Sequence, residues 1–403
     1  MEIFFDYLIF TMPDWLRLTL ILCLIGINYG AEFFVKRSVS NLYRKTGSAE
    51  EAMNKLRIYN QYLLAILQII TIIPLEFMVA KYFTRFGKPG CILFMLLVPF
   101  VFLMLVNVGQ LLIINQTYKR IRGTTESLFH QIRDIAVSFL LILAPIGIIG
   151  TITIFAREIN IKSEVLKSII PVATPIIMIF VINLILPVFY PKLLKAVHLE
   201  GERLRELLNE LFDQAGIKRP KLYQWPTKEK KAANALVVGL VKPKVFISDY
   251  YLENAEPNEI AAIIAHEIGH LKYKHLLKRL LYIVAGLGGI YLAGYLMEWY
   301  ENYTGREINL YLGLAILLVP FIFYISLGLL KYYRNQEKKA DEFALRIGVQ
   351  PEVMITALLK LARLNHMTTK LKKLDERFQT HPSMARRIKQ IEKISGYKYE
   401  FHL

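Results

Sequence analysis

Cysteine is nearly absent: Cys23 and Cys91 are the two in 403 residues, and both sit in apolar runs. That excludes a disulfide framework and makes both thiols packing residues rather than ligands. Acidic residues are in the minority, 33 against 50 Lys and Arg, for a formal charge of +17. Excess base can signal nucleic acid, but no RNA- or DNA-binding motif is present, so nucleic acid is not an expected partner. The basic residues instead cluster beside hydrophobic stretches, where anionic lipid headgroups and the positive-inside bias account for them. The opening residues Met1 to Tyr7 lack the basic segment of a cleavable signal peptide. The closing residues Tyr399 to Leu403 carry neither a prenylation nor a retention signal. No long receptor domain is visible outside the hydrophobic stretches, and those stretches show no obvious repeat of the kind transporters carry.

Long apolar runs are abundant. Hydrophobic residues make up 54% of the chain and mean hydropathy is +0.37. Seven runs approach the ~20 residues needed to cross ~30 Å of hydrocarbon: Leu16–Val35, Tyr62–Ala80, Gly90–Ile114, Ile135–Ala156, Leu166–Tyr190, Leu276–Met297 and Leu310–Leu330. Prolines 74, 99, 145, 171, 175 and 320 imply kinks, which packed membrane helices tolerate. Asn28, Glu32, Gln68, Glu76, Asn107, Gln110 and Asn183 are costly in hydrocarbon and are expected to face the bundle interior.

Lysine and arginine set the orientation. Lys36, Arg37, Arg44, Lys45, Lys55 and Arg57 follow the first run, and Lys119, Arg120, Arg122 and Arg133 follow the third. Opposite them lie Glu2, Asp6 and Asp14 and the stretch Glu298–Glu307, whose one base is Arg306. The amino terminus is therefore expected outside and the carboxyl terminus in the cytoplasm. The runs divide the chain into membrane helices 1–5 (residues 1–191), a soluble module (192–275), membrane helices 6–7 (276–331) and a helical tail (332–403).

The soluble module ends in the stretch that carries chemistry. His266, Glu267 and His270 spell H-E-x-x-H, and positions four apart share a helix face. Two imidazoles so placed can hold one Zn²⁺, with the carboxylate beside them acting on water that the metal activates. Pro257 suits the first turn of that helix. Position 276 is Leu and 273 is Tyr, so no third histidine follows at the spacing of the H-E-x-x-H-x-x-G-x-x-H class. His275 projects about 140° round an ideal helix from His270 and cannot join from the same face. The best candidate third ligand is Glu337, with Asp341 one helical turn on; one of the two would ligate zinc and the other would accept a ring N–H from a ligand histidine, fixing its tautomer. His270 and Glu337 each lie about six residues from a membrane run, within ~10 Å of the hydrocarbon edge.

H-E-I-G-H followed by E-x-x-x-D, amid seven hydrophobic spans, resembles the integral-membrane zinc metalloproteases of the CAAX prenyl protease type 1 family, relatives of the shorter HtpX-like membrane proteases. The resemblance covers most of the chain and is strongest over residues 234–387. It implies a mainly α polytopic fold with a cytoplasmic gluzincin-type α+β protease domain, one Zn²⁺ per chain, a water-filled intramembrane chamber, and a peptide or membrane-protein substrate. Its substrates would be C-terminal CAAX peptides or membrane proteins under quality control; a non-proteolytic sensor or scaffold is the rival. Asn234-Ala235 matches the family's N-A motif, where backbone and Asn side chain meet substrate. Thr380-His381-Pro382 with Arg387 resembles its T-H-P…E-R-I signature, in which His381 would donate to the oxyanion and Arg387 would brace Asp341 or the wall of the site. The family usually has Glu where Arg386 stands.

Within the module, Leu199–Ala215 reads as an amphipathic helix closed by Gly216, and Lys221–Trp225, Asn234–Leu240 and Lys244–Asp249 read as short strands. An edge strand beside the zinc helix would hold an extended peptide by backbone pairing.

Overall fold

The computed structural model describes residues 12–68, 70–72, 75, 87–141, 164–239, 242–369, 376, 379 and 381–400. The chain falls into two compact units, Met1–Met178 and Ile179–Leu403.

In the first unit, helix Asp14–Thr46 stops at Gly47, whose φ of 68° lets its N–H reach back to the Tyr43 carbonyl. Ser48 then caps helix Ala49–Ile58 by accepting the Glu51 N–H. Val35, Val39, Ala52, Met53, Leu56, Ile114 and Ile121 form the buried seam between these helices and the long helix Gly87–Arg122. Polar residues on the membrane stretches turn inward as expected: Asn28, Glu32 and Gln110 are buried. The Asn28 amide donates to Thr71 Oγ1 at 3.3 Å and that of Gln68 to Gln110 Oε1 at 3.0 Å. Glu76 lies outside the described residues.

Five described helices are long and apolar enough to cross a membrane: Asp14–Thr46, Leu97–Arg122, Ile176–Leu193, His275–Thr304 and Ala315–Arg346. They coincide with the first, third, fifth, sixth and seventh apolar runs. The second and fourth extend into residues 69–86 and 142–163, which are largely outside the description. Large apolar side chains such as Leu22, Phe34, Leu292 and Ile322 are exposed along the five, as a lipid-facing surface requires. Trp299 and Tyr303 stack at 5.4 Å near the end of one span, the placement of an interfacial aromatic anchor.

The second unit carries a four-stranded sheet of order β1-β2-β4-β3, with β1 Val197–His198, β2 Lys221–Trp225, β3 Ala235–Val238 and β4 Lys244–Ser248. β2 and β4 run parallel, while β1 and β3 pair antiparallel at the two edges. The period-2 alternation divides the side chains between two faces. Leu222, Ala235, Val245 and Ile247 pack on Ile260, Ile264 and Ile268 of the H-E-x-x-H helix, with Met354, Ile355 and Leu358 completing that core. Tyr223, Trp225 and Phe246 face Tyr190 and Leu194 at the end of the fifth membrane run.

The β2 range agrees with the sequence reading. The expected strand Asn234–Leu240 is shorter, as Gly239 leaves the extended region at φ 114°. β4 stops before Asp249 because Ser248 caps a short helix, Asp249–Asn254, accepting the Tyr251 N–H. The amphipathic helix runs Glu202–Gln214.

The H-E-x-x-H helix spans Pro257–Lys272, opened by Pro257 and a reciprocal capping box between Glu256 and Glu259. It packs against helix Leu330–Arg346, and Gly269 permits the approach. A Cβ at Gly269 would stand 3.0 Å from Ala340 Cα and 3.2 Å from Ala340 O, both backbone atoms that cannot swing aside. Gly269→Ala is therefore expected to push apart the two helices that bear His270 and Glu337. Metal affinity, measured by competition with a chromogenic chelator, should fall several-fold while the helical circular-dichroism signal is retained.

Candidate metal centre

Two helices meet at one point. His266 and His270 come from the H-E-x-x-H helix, and Glu337 from helix Leu330–Arg346, which continues the seventh apolar run. His266 Nε2 and His270 Nε2 lie 3.1 Å apart. Each is 3.3 Å from an oxygen of the Glu337 carboxylate, which is 1% exposed. One ligand atom from each of the three residues falls within 4.8 Å of the others, a group able to hold a metal ion.

The rear of each ligand is held. His266 Nδ1 is 2.8 Å from Asp341 Oδ1, and a carboxylate can only accept, so Nδ1 carries the hydrogen. Asp341 is gripped by Arg387, whose Nε and Nη2 donate to its two oxygens at 3.0 and 2.6 Å. His270 Nδ1 is 2.8 Å from His275 Nδ1. Arg279 donates to Gln336 Oε1 at 2.5 Å and to Glu337 Oε1 at 3.3 Å, and stacks 4.2 Å over the Tyr333 ring.

His275 and Arg279 are partners that sequence reasoning did not foresee. The 140° projection of His275 assumed one continuous helix. The helix instead ends at Lys272, and after Tyr273 the chain turns left-handed at Lys274, φ 53°, before a new helix begins at His275. That break swings the His275 ring to within 4.9 Å of the His270 ring. No glycine, proline or asparagine marks the turn, so the sequence carries no local signal for it.

Charge follows from these contacts. Burial, then the Arg387 charge, disfavour His266 imidazolium, but Asp341 and Glu337 outweigh both and raise its pKa to about 9. Burial would raise Glu337, yet the His266, His270 and His381 side chains beside its carboxylate hold it far below the usual carboxylate range. Burial also opposes ionised Asp341, but Arg387 and His266 prevail and lower it to about 2. Burial pushes His270 down. Burial, His270, Arg279 and Lys278 together lower His275 to about 3, so it is neutral and can accept the His270 Nδ1–H.

This donor set fits a cation. With both Nδ1–H groups committed behind them, two Nε2 lone pairs and a carboxylate converge with no hydrogen among them unless His266 binds a second proton.

The remaining sequence candidates fall as follows. Glu267 is half-buried, next to His266, and no hydrogen bond to its carboxylate is seen among the described residues. His381 Nδ1 stands 2.8 Å from Glu337 Oε2 with its side chain 62% exposed; Thr380 lies outside the description. Arg386, where the family usually has Glu, pairs with Glu376 at 2.9 Å. Asn234 is exposed, and its backbone faces β4: Ser248 N–H donates to its carbonyl and its own N–H to Ser248 Oγ, both at 2.9 Å. Ladder alternation then turns the backbone groups of Ala235 and Val237 towards the open edge, although the Ala235 side chain is buried.

Residues 198–395 match the family model of Peptidase family M48. That segment, just under half of the chain, is similar to this peptidase family. Curated relatives differ in how much of their length is shared. The chain is 28% identical over 217 residues to the "Uncharacterized metalloprotease YhfN" of Bacillus subtilis, a match spanning 51% of this chain and 49% of that protein. It is 29% identical over 221 residues to a "Protease HtpX homolog" of Pyrococcus abyssi, spanning 49% of this chain and 74% of the relative. It is 25% identical over 218 residues to "Protease HtpX" of Acinetobacter baylyi, spanning 48% and 71%. Among solved structures, S. mikatae Ste24p superposes with a TM-score of 0.62 at 17% identity, covering 94% of this chain and 99% of that one, a likeness of fold. The M48 match and the protease relatives support a metalloprotease type, and the five apolar helices support integration in a membrane.

Proposed function

We propose that the chain is a zinc-dependent endopeptidase that cuts peptide bonds at the cytoplasmic face of a membrane. The observation that carries this reading is the convergence of His266 Nε2, His270 Nε2 and the Glu337 carboxylate, each oriented from behind. These three residues would hold Zn²⁺, which supplies Lewis acidity towards water and towards a carbonyl oxygen. Glu267 takes a proton from the attacking water and delivers it to the leaving amine nitrogen. His381 donates a hydrogen bond to the developing oxyanion, a role supported by its exposure and its distance from Glu337. An extended peptide pairs with the open edge of β3 at Ala235 and Val237, within reach of the Asn234 side chain.

Cleavage near the bilayer is supported by chain continuity. His275, the first residue of the sixth span, comes three residues after the zinc helix ends, and Glu337 sits on the helix that continues the seventh span. The lysine and arginine distribution supports a cytoplasmic position for this site.

Chelation by 1,10-phenanthroline should abolish cleavage of a casein-derived peptide by the purified protein, and Zn²⁺ should restore it. Stoichiometric zinc with no cleavage of any peptide would favour a scaffold that keeps the zinc fold. A farnesylated CAAX peptide and its non-prenylated twin separate the two substrate classes. Comparable rates are expected for general membrane-associated proteolysis, whereas cleavage confined to the farnesylated peptide would establish CAAX processing.

Metal uptake should also release a proton. In the metal-free protein His266 titrates at about 9, so at pH 7 its Nε2 carries a proton that the metal displaces. Below that pKa the affinity should fall about tenfold per pH unit, and above it the dependence should flatten. Zinc titration in weakly buffered solution with a pH indicator reads the released proton directly.

A further inference from the structure

The first unit holds a basic cavity that plays no part in the peptidase site. It encloses about 330 Å³ and is lined by Ser40, Tyr43, Arg44, Gln116, Thr117, Arg120 and Ile121. All come from the carboxyl-terminal ends of two candidate membrane helices, Asp14–Thr46 and Leu97–Arg122. We propose that this cavity binds the phosphate headgroup of an anionic glycerophospholipid, with the acyl chains lying along the apolar faces of the same two helices.

Three features carry the assignment. First, two guanidinium groups and no carboxylate line the cavity. Asn41 Oδ1 accepts from Arg44 at 2.5 Å and leaves the rest of its donor fork open. The Ser40 and Thr117 hydroxyls lie 3.2 Å apart, and whichever accepts in that pair keeps its own hydrogen for a ligand oxygen. Second, further base lies close to these helix ends, Arg122 on the second helix and Arg57 on helix Ala49–Ile58. Burial, and after it the charge of Arg122, pushes Arg57 below its ordinary range, so the two cations are near enough to interact.

Third, the same helix faces turn apolar towards the membrane. Phe33, Arg37, Ser40 and Arg44 repeat at helical spacing, as do Leu112, Gln116 and Arg120. Phe33 is 57% exposed and Leu112 is 53% exposed. Phe33 lies about 10 Å along the helix from Ser40, so a headgroup at the arginines would place its chains against exposed Phe33, Leu112 and Leu105. A free inorganic anion would use the arginines but not that stripe. Basic pockets between membrane helices are an established chemistry for anionic headgroups.

The test uses the full chain in neutral detergent and compares dioctanoyl phosphatidylglycerol, dioctanoyl phosphatidylcholine and inorganic phosphate. Binding is read by native mass spectrometry and by the shift of the thermal unfolding midpoint. Phosphatidylglycerol should bind and stabilise where phosphatidylcholine does not. R44A/R120A should weaken it by roughly thirtyfold, about a factor of five per guanidinium. R44K/R120K should retain most of the effect, and a control of equal charge loss in the other unit, K218A/K221A, should retain all of it. Equal binding of the two lipids would overturn the proposal, as would equal losses in R44A/R120A and the control. Inorganic phosphate binding as tightly as phosphatidylglycerol would make this a small-anion site and overturn the lipid assignment. The wild-type lipid comparison decides the matter even if a variant fails to fold.

Discussion

Glu267→Gln is expected to leave one metal ion per chain in place and to cut peptide hydrolysis by on the order of 10²- to 10⁴-fold. The asymmetry arises from what the side chain touches. The metal-holding atoms belong to His266, His270 and Glu337, and no hydrogen bond ties down the Glu267 carboxylate among the described residues. Gln preserves shape and polarity at this half-buried position but cannot take a proton from water. Elemental analysis and single-turnover cleavage on the same preparation separate the two effects. Loss of metal would mean that Glu267 helps to build the site; full activity would remove it from the mechanism. Either result differs from that of Gly269→Ala, where affinity and activity should decline together.

Which parts of this site were legible follows from how local their causes are. H-E-x-x-H needs only helical spacing, and Pro257 with the Glu256–Glu259 box starts that helix where the sequence indicates. Glu337 and Asp341 share a face for the same reason, and their helix is continuous with an apolar run visible from hydropathy alone. His275 was missed because its position depends on a left-handed lysine, a conformation that the packed His270–His275 pair and the start of a new helix impose on Lys274. Arg279 was missed because it reaches Glu337 across the hairpin of the sixth and seventh runs, 58 positions apart in sequence. The strand reading ran one residue too far, to Asp249, because the Ser248 cap sits at the end of an alternating β pattern. Local periodicity therefore located the ligands, while long-range packing chose the groups that orient them.

Arg387→Ala is expected to destabilise the protease-bearing unit by about 3–5 kcal/mol, the cost of breaking a buried ion pair from one side. Arg387 and Asp341 are both buried, joined by two charge-assisted hydrogen bonds. Removing the guanidinium leaves a carboxylate, 1% exposed, with His266 as its remaining hydrogen-bonded partner. Deleting both, in D341A/R387A, should cost less than the sum of the single losses, because no unpaired charge remains. Denaturant unfolding of the metal-free protein measures this coupling, and strict additivity would mean that the pair acts independently. A second effect has a sign that mere structural damage would not produce. The Arg387 charge disfavours His266 imidazolium, whereas Asp341 favours it. Without Arg387 the His266 pKa should climb above about 9, so a metal ion must displace a more firmly held proton. In R387A metal affinity at pH 7 should therefore fall and largely recover at higher pH, while in D341A, which removes the group that favours the imidazolium, the pH dependence should weaken. Arg387 thus acts as the counterweight that keeps Asp341 ionised for orienting His266 without letting it over-protonate the ligand.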